Sequence, residues 1–444
     1  MSHYKPYPAY KDSGAGWLGH VPSHWEIAPL WSVYRPLKRT GFADEPLLSV
    51  YRDHGVVLKA SRDDNRNRAS DDLGPYQLVE PGNLVTNKMK TWQGSIAVSE
   101  LRGIVSPAYF VYEPIRNVFG RYIHHLMRCL PYITGYMSVS KGIRVGQWDL
   151  DPDHFRTFPV LFPPRGEQER IVKALDSETA RIDALIAKKS EFIELLAKKR
   201  QALITHAVTK GLNPKAKMKD AGVEWIGGVP AHWIVLQLGK LAKERCDGPF
   251  GSGLKSEHYV DSGVRVVRLQ NIGWAQFKND NAAYISHEHW RVVLGCGHSV
   301  LPGDLLVAGL GDENNPLGRA CVAPDDIGEA LVKADCYRFR LSHEKALPSF
   351  VALSLSATAK AECGFMATGA TRDRLNLGLA SSRTVAIPPE TVEQQEIVDY
   401  VHSKVDRIDR LAEKTQLSID LLKNRRSALI AAAVTGQIDL RRAA

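Results

Sequence analysis

The stretch KDSGAGWLGHVPSHW at residues 11–25 returns as KDAGVEWIGGVPAHW at residues 219–233, with Lys, Asp, Gly, Trp, Gly, Val, Pro, His and Trp kept in register. Agreement of this kind marks an internal duplication. A second repeated block lies at a different offset. EQERIVKALDSETARIDALIAKKSEFIELLAKKRQALITHAVT, Glu167 to Thr209, matches EQQEIVDYVHSKVDRIDRLAEKTQLSIDLLKNRRSALIAAAVT, Glu393 to Thr435, with almost half of the positions identical. Between the repeats lie two unlike stretches, Glu26 to Phe162 and Ile234 to Ile387. The order is motif, variable domain, helix, motif, variable domain, helix.

The second block reads as a long helix. Pro163-Pro164 and Pro388-Pro389 stop what precedes it, and Glu167, Glu169, Glu390 and Glu393 fill the first turns, where the helix dipole favours acids. Stepping alternately by four and three from Ile171 passes Leu175, Glu178, Ile182, Leu185, Lys189, Phe192, Leu196, Lys199 and Leu203. From Ile397 it passes Val401, Lys404, Ile408, Leu411, Thr415, Ser418, Leu422, Arg425 and Leu429. Both are coiled-coil seams with polar flaws, and each helix is the natural cover for the other. At 1.5 Å per residue such a helix is a rod of about 65 Å. The first helix is followed by a motif, whereas the second reaches Arg441-Arg442-Ala443-Ala444 with none after it. If residues 11–25 fill that place, the chain closes into a ring with a pseudo-twofold axis, and the helices run antiparallel.

The expected fold class is therefore mixed α/β: two variable domains in pseudo-twofold arrangement, separated by two long antiparallel coiled-coil helices. The expected divisions are 1–25, a conserved segment near the C-terminal helix; 26–162, the first variable domain; 163–212, the central helix; 213–233, the linker motif; 234–387, the second variable domain; and 388–444, the C-terminal helix. A chain of 444 residues is too long for one ordinary core. No basic start precedes an apolar run and no 18-residue apolar stretch occurs, so neither a secretory signal nor a membrane span is expected, and the cytoplasm is the expected location. The six cysteines form no CxxC or Cys/His zinc spacing and read as reduced thiols. The net charge of +9 favours an anionic partner without identifying it. Both variable stretches are nearly neutral, and the excess gathers between Arg165 and Val223.

Both variable stretches show short apolar runs cut by Gly, Pro and Asn, with short helices at Arg121 to Leu130 and Pro348 to Glu362. They match weakly at EPGNLV (80–85) against LPGDLL (301–306), and at SKGIRVGQWDL (140–150) against ATGATRDRLNL (367–377). Their polar loops interleave Lys, Arg, Asn and Gln with aromatics. From these come candidate DNA-contacting residues: Lys88, Lys90, Thr91, Trp92, Gln93, Lys141, Arg144 and Gln147 in the first half, and Ser252, Lys255, Arg372, Arg374 and Asn376 in the second. Arg and Lys suit guanine and phosphate, and Asn and Gln suit adenine. A solvated loop set is the competing reading.

Several patterns fail on spacing. GPFGSGLKS (248–256) approaches the phosphate-cradling GxxxxGK[ST] loop, but Leu254 separates Gly253 from Lys255. LLVAGLGDENNPLG (305–318) faintly resembles a methyltransferase, yet NNPL lacks the Asn-Pro-Pro-aromatic core. His24 and His232, each alone beside Trp25 and Trp233, read as parts of an aromatic plug where helix meets domain. No Ser/His/Asp set, His-Glu-x-x-His or paired-carboxylate motif points to catalysis on this chain.

The duplicated Trp-x-Gly-x-x-Pro-x-His-Trp frame, the variable domains, and Pro-Pro with Glu-Gln before a long helix ending in Arg-x-Ala-Leu-Ile resemble the specificity subunit of type I restriction-modification systems. The likeness covers nearly the whole chain. It implies two target recognition domains, each reading half of a split asymmetric sequence in double-stranded DNA, with the helices as spacer. It also implies docking of two modification subunits and of restriction subunits. S-adenosylmethionine, ATP and Mg are then expected on those partners and no cofactor on this chain, which is expected to be no enzyme and to touch no membrane. Partner-facing apolar positions are expected on the helices at Ile171, Leu175, Ile182, Leu185, Leu196, Ile397, Ile408, Leu411 and Leu422. The rival readings are a coiled-coil scaffold joining two protein-binding domains without DNA, and a self-sufficient methyltransferase.

Overall fold

The computed structural model describes residues 5–62, 69–141, 148–250, 253–312, 314–366 and 374–440. The chain divides into two compact units, Met1–Ser190 with Gln416–Ala444, and Glu191–Thr415. The first long helix spans Arg165–Lys210 and the second Thr391–Val434, so each unit contains a part of both. No described helix is long and apolar enough to cross a membrane.

In the first unit the repeated motif forms a hairpin, Tyr10–Asp12 against His20–Pro22. The chain enters the variable stretch through Glu26–Pro29 and leaves it through Pro159–Phe162, and these strands pair antiparallel, Ile27 opposite Leu161. The variable stretch is thereby tied shut at its base. Inside it, a four-stranded antiparallel sheet runs in the order Tyr34–Leu37, Tyr109–Pro114, Leu84–Asn87, Ile96–Val98. Helices Gly120–Arg128 and Leu130–Val139 follow. Trp25, Tyr122, Tyr132, Tyr136 and Phe155 form one core with Ile171, Leu175 and Ile182 of the first long helix and Leu429, Ala433 and Val434 of the second.

The second unit repeats the plan. Met218–Asp220 pairs with Gly228–Pro230, and Ile234–Gln237 pairs with Thr384–Ile387 at the base. The four-stranded sheet has the same order: Ala242–Cys246, Cys336–Leu341, Leu305–Ala308, Ala320–Val322. A five-stranded sheet with one parallel pairing, Arg265 opposite Ala330, is added beside it. Strand Leu305–Ala308 is buried at every position, as a continuous apolar run demands. Helix Pro348–Met366 packs Phe350, Val351 and Leu355 into the core with Trp233, Tyr337 and Phe339.

The weak matches between the variable stretches have a structural basis. Pro81-Gly82 and Pro302-Gly303 each make the turn into the third strand of the sheet, with glycine φ of 93° and 81°. Asn83 Oδ1 accepts from Glu80 N, and Asp304 Oδ2 accepts from Leu301 N, both at 2.8 Å. The second match is displaced by two residues. Leu150 N donates to Lys88 O and Leu375 N to Gly309 O, each just past the third strand, so Leu375 rather than Leu377 is the counterpart of Leu150.

The helix seam departs from the expected stepping. Ile171, Leu175, Ile182, Leu196, Ile397 and Ile408 are buried, and Leu422 is half-buried, but Leu185 and Leu411 are 42% and 43% exposed. Ile186, Ile193, Ala412 and Ile419 take the inward positions. From Ile182 the inward face advances by four to Ile186 and then by three, so a step of three to Leu185 leaves the buried stripe. The helices are antiparallel within each unit. Arg426 pairs with Asp183 at 2.9 Å in the first, and Arg200 with Asp409 at 3.1 Å in the second.

Candidate nucleic-acid interface

The base of each unit is held by a carboxylate in the first turn of a long helix. Glu167 is 2% exposed and receives Tyr7 Oη at 2.6 Å, Trp25 Nε1 at 3.1 Å and His24 Nε2 at 2.9 Å. In the second unit Glu393 receives Trp233 Nε1 and His232 Nε2, both at 2.9 Å. The histidines are therefore not alone beside their tryptophans. Buried carboxylates need donors, and the repeated His-Trp supplies two. Both long helices also end in left-handed glycines. A Cβ on Gly436 would collide with Pro22 and one on Gly211 would press on Trp233 at 3.3 Å, so the repeated Pro-x-x-Trp packs against bare backbone at both ends.

On these bases the loops beyond the third sheet strand carry the polar candidates. In the first unit Lys88 Nζ donates to Pro107 O at 2.8 Å and lies 4.7 Å over the Phe110 ring. Lys90 and Gln93 are exposed. Trp92 donates to Met89 O, and its ring lies 4.9 Å from that of Trp148, joining the loops at 88–95 and 148–150. Thr91 is buried, its hydroxyl bonded to Thr86 and to Asn87 O, so it shapes the loop from inside. The backbone of Lys141 lies in the short strand Ser140–Lys141. Arg144, Gln147, Ser252 and Arg372 lie outside the described residues.

In the second unit Arg374 Nε and Nη2 both reach Asp335 Oδ1 at 2.8 Å, and the guanidinium lies 5.6 Å from the centre of the exposed Phe250 ring. Asp247 accepts from Gly248 N and Asp335 N, and burial pushes its carboxyl up to about 6. Asn376 is exposed but caps helix Leu377–Ser382, accepting from Leu379 N, as Asp151 caps the turn at Pro152–Phe155. Lys255 is apart from this group, beside Ser256–His258, in a loose exposed pair with Glu257 at 3.7 Å.

Each sheet thus carries a cation, an exposed or half-buried aromatic and polar loop backbone at one end. Such groups can grip phosphates, stack on bases and donate to base edges. Among the described residues no group of three or more His, Cys, Asp or Glu could hold a metal ion. Burial pushes the Cys129 and Cys321 thiols up to about 12, so neither is a nucleophile at neutral pH. The carboxylate clamps had a signal in sequence, the Glu-Gln repeated three residues after Pro164 and four after Pro389. Its meaning needed the fold.

No protein-family model matches the chain. It is 21% identical to the Type I restriction enzyme EcoKI specificity subunit of Escherichia coli (strain K12), over 95% of this chain and 90% of that protein. It is likewise 21% identical to the StySPI specificity subunit of Salmonella potsdam, over the same shares. Among solved structures it is similar to a chain from work on complex assembly and conformational transition of the type I R-M system. That match has TM-score 0.68 and 16% identity, covering 93% of this chain and 98% of that one. The HsdS subunit from Thermoanaerobacter tengcongensis matches with TM-score 0.53 and 16% identity over 94% and 98%. The chain aligns over most of its length with type I restriction enzyme specificity subunits and has the fold of the solved HsdS subunit.

Proposed function

We propose that this chain is a non-catalytic DNA-specificity subunit that reads a bipartite, asymmetric target and carries modification and restriction subunits. One observation bears most of the weight: two units share base, sheet order and strand-entry turn, yet carry dissimilar loops at the same end of that sheet. Like frames with unlike loops suit two half-sites of different sequence. Lys88, Lys90, Trp92 and Gln93 are the described contacts for one half, and Phe250, Lys255 and Arg374 for the other. Thr91 and Asn376 act by holding their loops. The full-length specificity-subunit relatives support partner subunits, and two modification subunits would match the two bases. S-adenosylmethionine, ATP and Mg belong to those partners in this reading, and the complex works in the cytoplasm. The helix pair sets the gap between the half-sites.

Mapping of modified adenines in a host carrying the complete system tests this. A split, asymmetric motif is the expected result, with retardation of the matching duplex by the assembled complex. Assembly without any sequence-specific retardation would instead establish the protein scaffold.

A further inference from the structure

A cleft of about 400 Å³ opens in the first unit, lined by none of the residues assigned to DNA above. Its walls are the turn Arg52–His54, the helix Gly120–Arg128 and the second long helix at Asn424–Ser427. Arg128 lies half-buried in it, and among the described residues no carboxylate is within ion-pair distance, although the Asp53 charge nearby favours its charged form. Its Nη1 donates to His124 Nε2 at 2.9 Å and its Nη2 to Arg52 O. Since His124 Nε2 accepts, its proton sits on Nδ1, facing Val98 O at 3.3 Å. The imidazole beside the guanidinium is therefore neutral. Burial, and next the Arg128 charge, push His124 down to about 3. Burial lowers Arg128 to about 10, so it remains charged at neutral pH.

A desolvated guanidinium held by two neutral partners is unusual, because buried charge is normally paired. The site is also built for it. Gly55 has φ of 74°, and a Cβ there would stand 2.5 Å from Arg128 Nη1 and 2.9 Å from His124 Cε1. Arg52 is exposed with no side-chain partner among the described residues, while Arg426 is engaged by Asp183. Asp53, also exposed, lines the same cleft. The two opposing acids leave these three arginines one positive charge in excess, which suits one phosphodiester.

The cleft borders the recognition loop. A Cβ on Gly94, which closes the Thr91–Gln93 turn, would meet Ile133 at 2.9 Å and Arg52 at 3.7 Å. A duplex gripped through Lys90, Trp92 and Gln93 therefore has its backbone beside Arg52. We propose that Arg128, Arg52 and Arg426 form a phosphate site that clamps one DNA backbone phosphate next to the half-site read by the first unit, so that the second long helix takes part in binding DNA. This rests on the DNA-reading function proposed above.

The test uses the full chain assembled with its modification subunits and the duplex identified by adenine mapping. Single methylphosphonates are placed in turn beside each half-site. With the natural chain, one substitution beside the first half-site weakens binding about tenfold, and the same substitutions beside the second half-site do not reproduce this. Arg128→Gln and the surface double variant Arg52→Ala/Arg426→Ala each weaken binding of the natural duplex by a similar factor. Each makes the sensitive methylphosphonate silent and lowers the salt slope by about one. Variants that bind with unchanged affinity and slope, beside a natural chain that does retard the duplex, overturn the phosphate site and leave the DNA function standing. A natural chain that retards no duplex sinks both. Inorganic phosphate at millimolar concentration supplies the remaining arm. If it shifts the His124 and His125 resonances in the natural chain and not in Arg128→Gln, while duplex binding ignores all variants, the cleft holds a free anion and not DNA.

Discussion

Glu167 and Glu393 occupy equivalent places but are not equally committed. Glu167 has three donors and a side chain 3% exposed, whereas Glu393 has the indole and imidazole donors and a side chain 32% exposed. Replacing a buried acceptor oxygen by an amide NH2 sets donor against donor, at a cost of about 1–3 kcal/mol. Glu167→Gln is expected to lower stability by that amount and Glu393→Gln by clearly less, as measured by denaturant unfolding. The histidines of the cleft make a second residue-scale prediction. Burial lowers His124 to about 3 and His125 to about 4, from 6.5; Arg128 adds to it at His124, while Asp176 partly opposes it at His125. The unfolded chain thus binds more protons than the folded one between those values and 6.5. Stability from keeping them neutral is present above pH 6.5 and declines as pH falls toward 4. Thermal midpoints at pH 7.5 and 5 should differ less in His124→Gln/His125→Gln than in the natural chain; an equal difference removes the effect.

At the scale of elements, the long helices separate two kinds of apolar residue. Ile182 is 4% exposed in the core of the first unit, so Ile182→Ala should cost about 2–5 kcal/mol in unfolding experiments. Leu185, three positions on, faces solvent. Leu185→Lys should leave the unfolding midpoint almost unchanged while weakening assembly with the modification subunit, read by co-purification. Loss of stability instead would put Leu185 in the seam. The helix period was legible in sequence because apolar spacing is a local property. The choice between Leu185 and Ile186 was not, since both are apolar and a drift of one residue separates a period of 3.5 from one of 3.6.

At the scale of the molecule, each variable stretch is a module packed on a floor within its own unit. Tyr132, Tyr136 and Phe155 belong to the same core as Ile171 and Leu175, and Phe350 packs on Trp233. Deleting residues 26–162 outright would unroof the first long helix. An exchange between the paired base strands, which keeps Glu26–Pro29 and Pro159–Phe162, is the informative experiment. Substituting the interior with that of a related subunit should change one half of the methylated motif and leave the other intact. Alteration of both halves would end the modular reading. The phosphate cleft adds a condition: Arg426 lies outside any such exchange, so the incoming module must still present a phosphate to it.

The sequence by itself determined the duplication and the two long helices, because repeats, helical spacing and proline stops are written in neighbouring residues. It also held the loops that carry Lys88, Trp92 and Arg374. Only the tertiary structure decided that Trp25 meets Glu167, that Trp92 meets Trp148, and that Thr91 is inside while Leu185 is outside. These depend on which distant side chains packing brings within a few ångströms. The charge state of His124 was decided in the same way, since burial and the approach of Arg128 arise only when the chain closes around them.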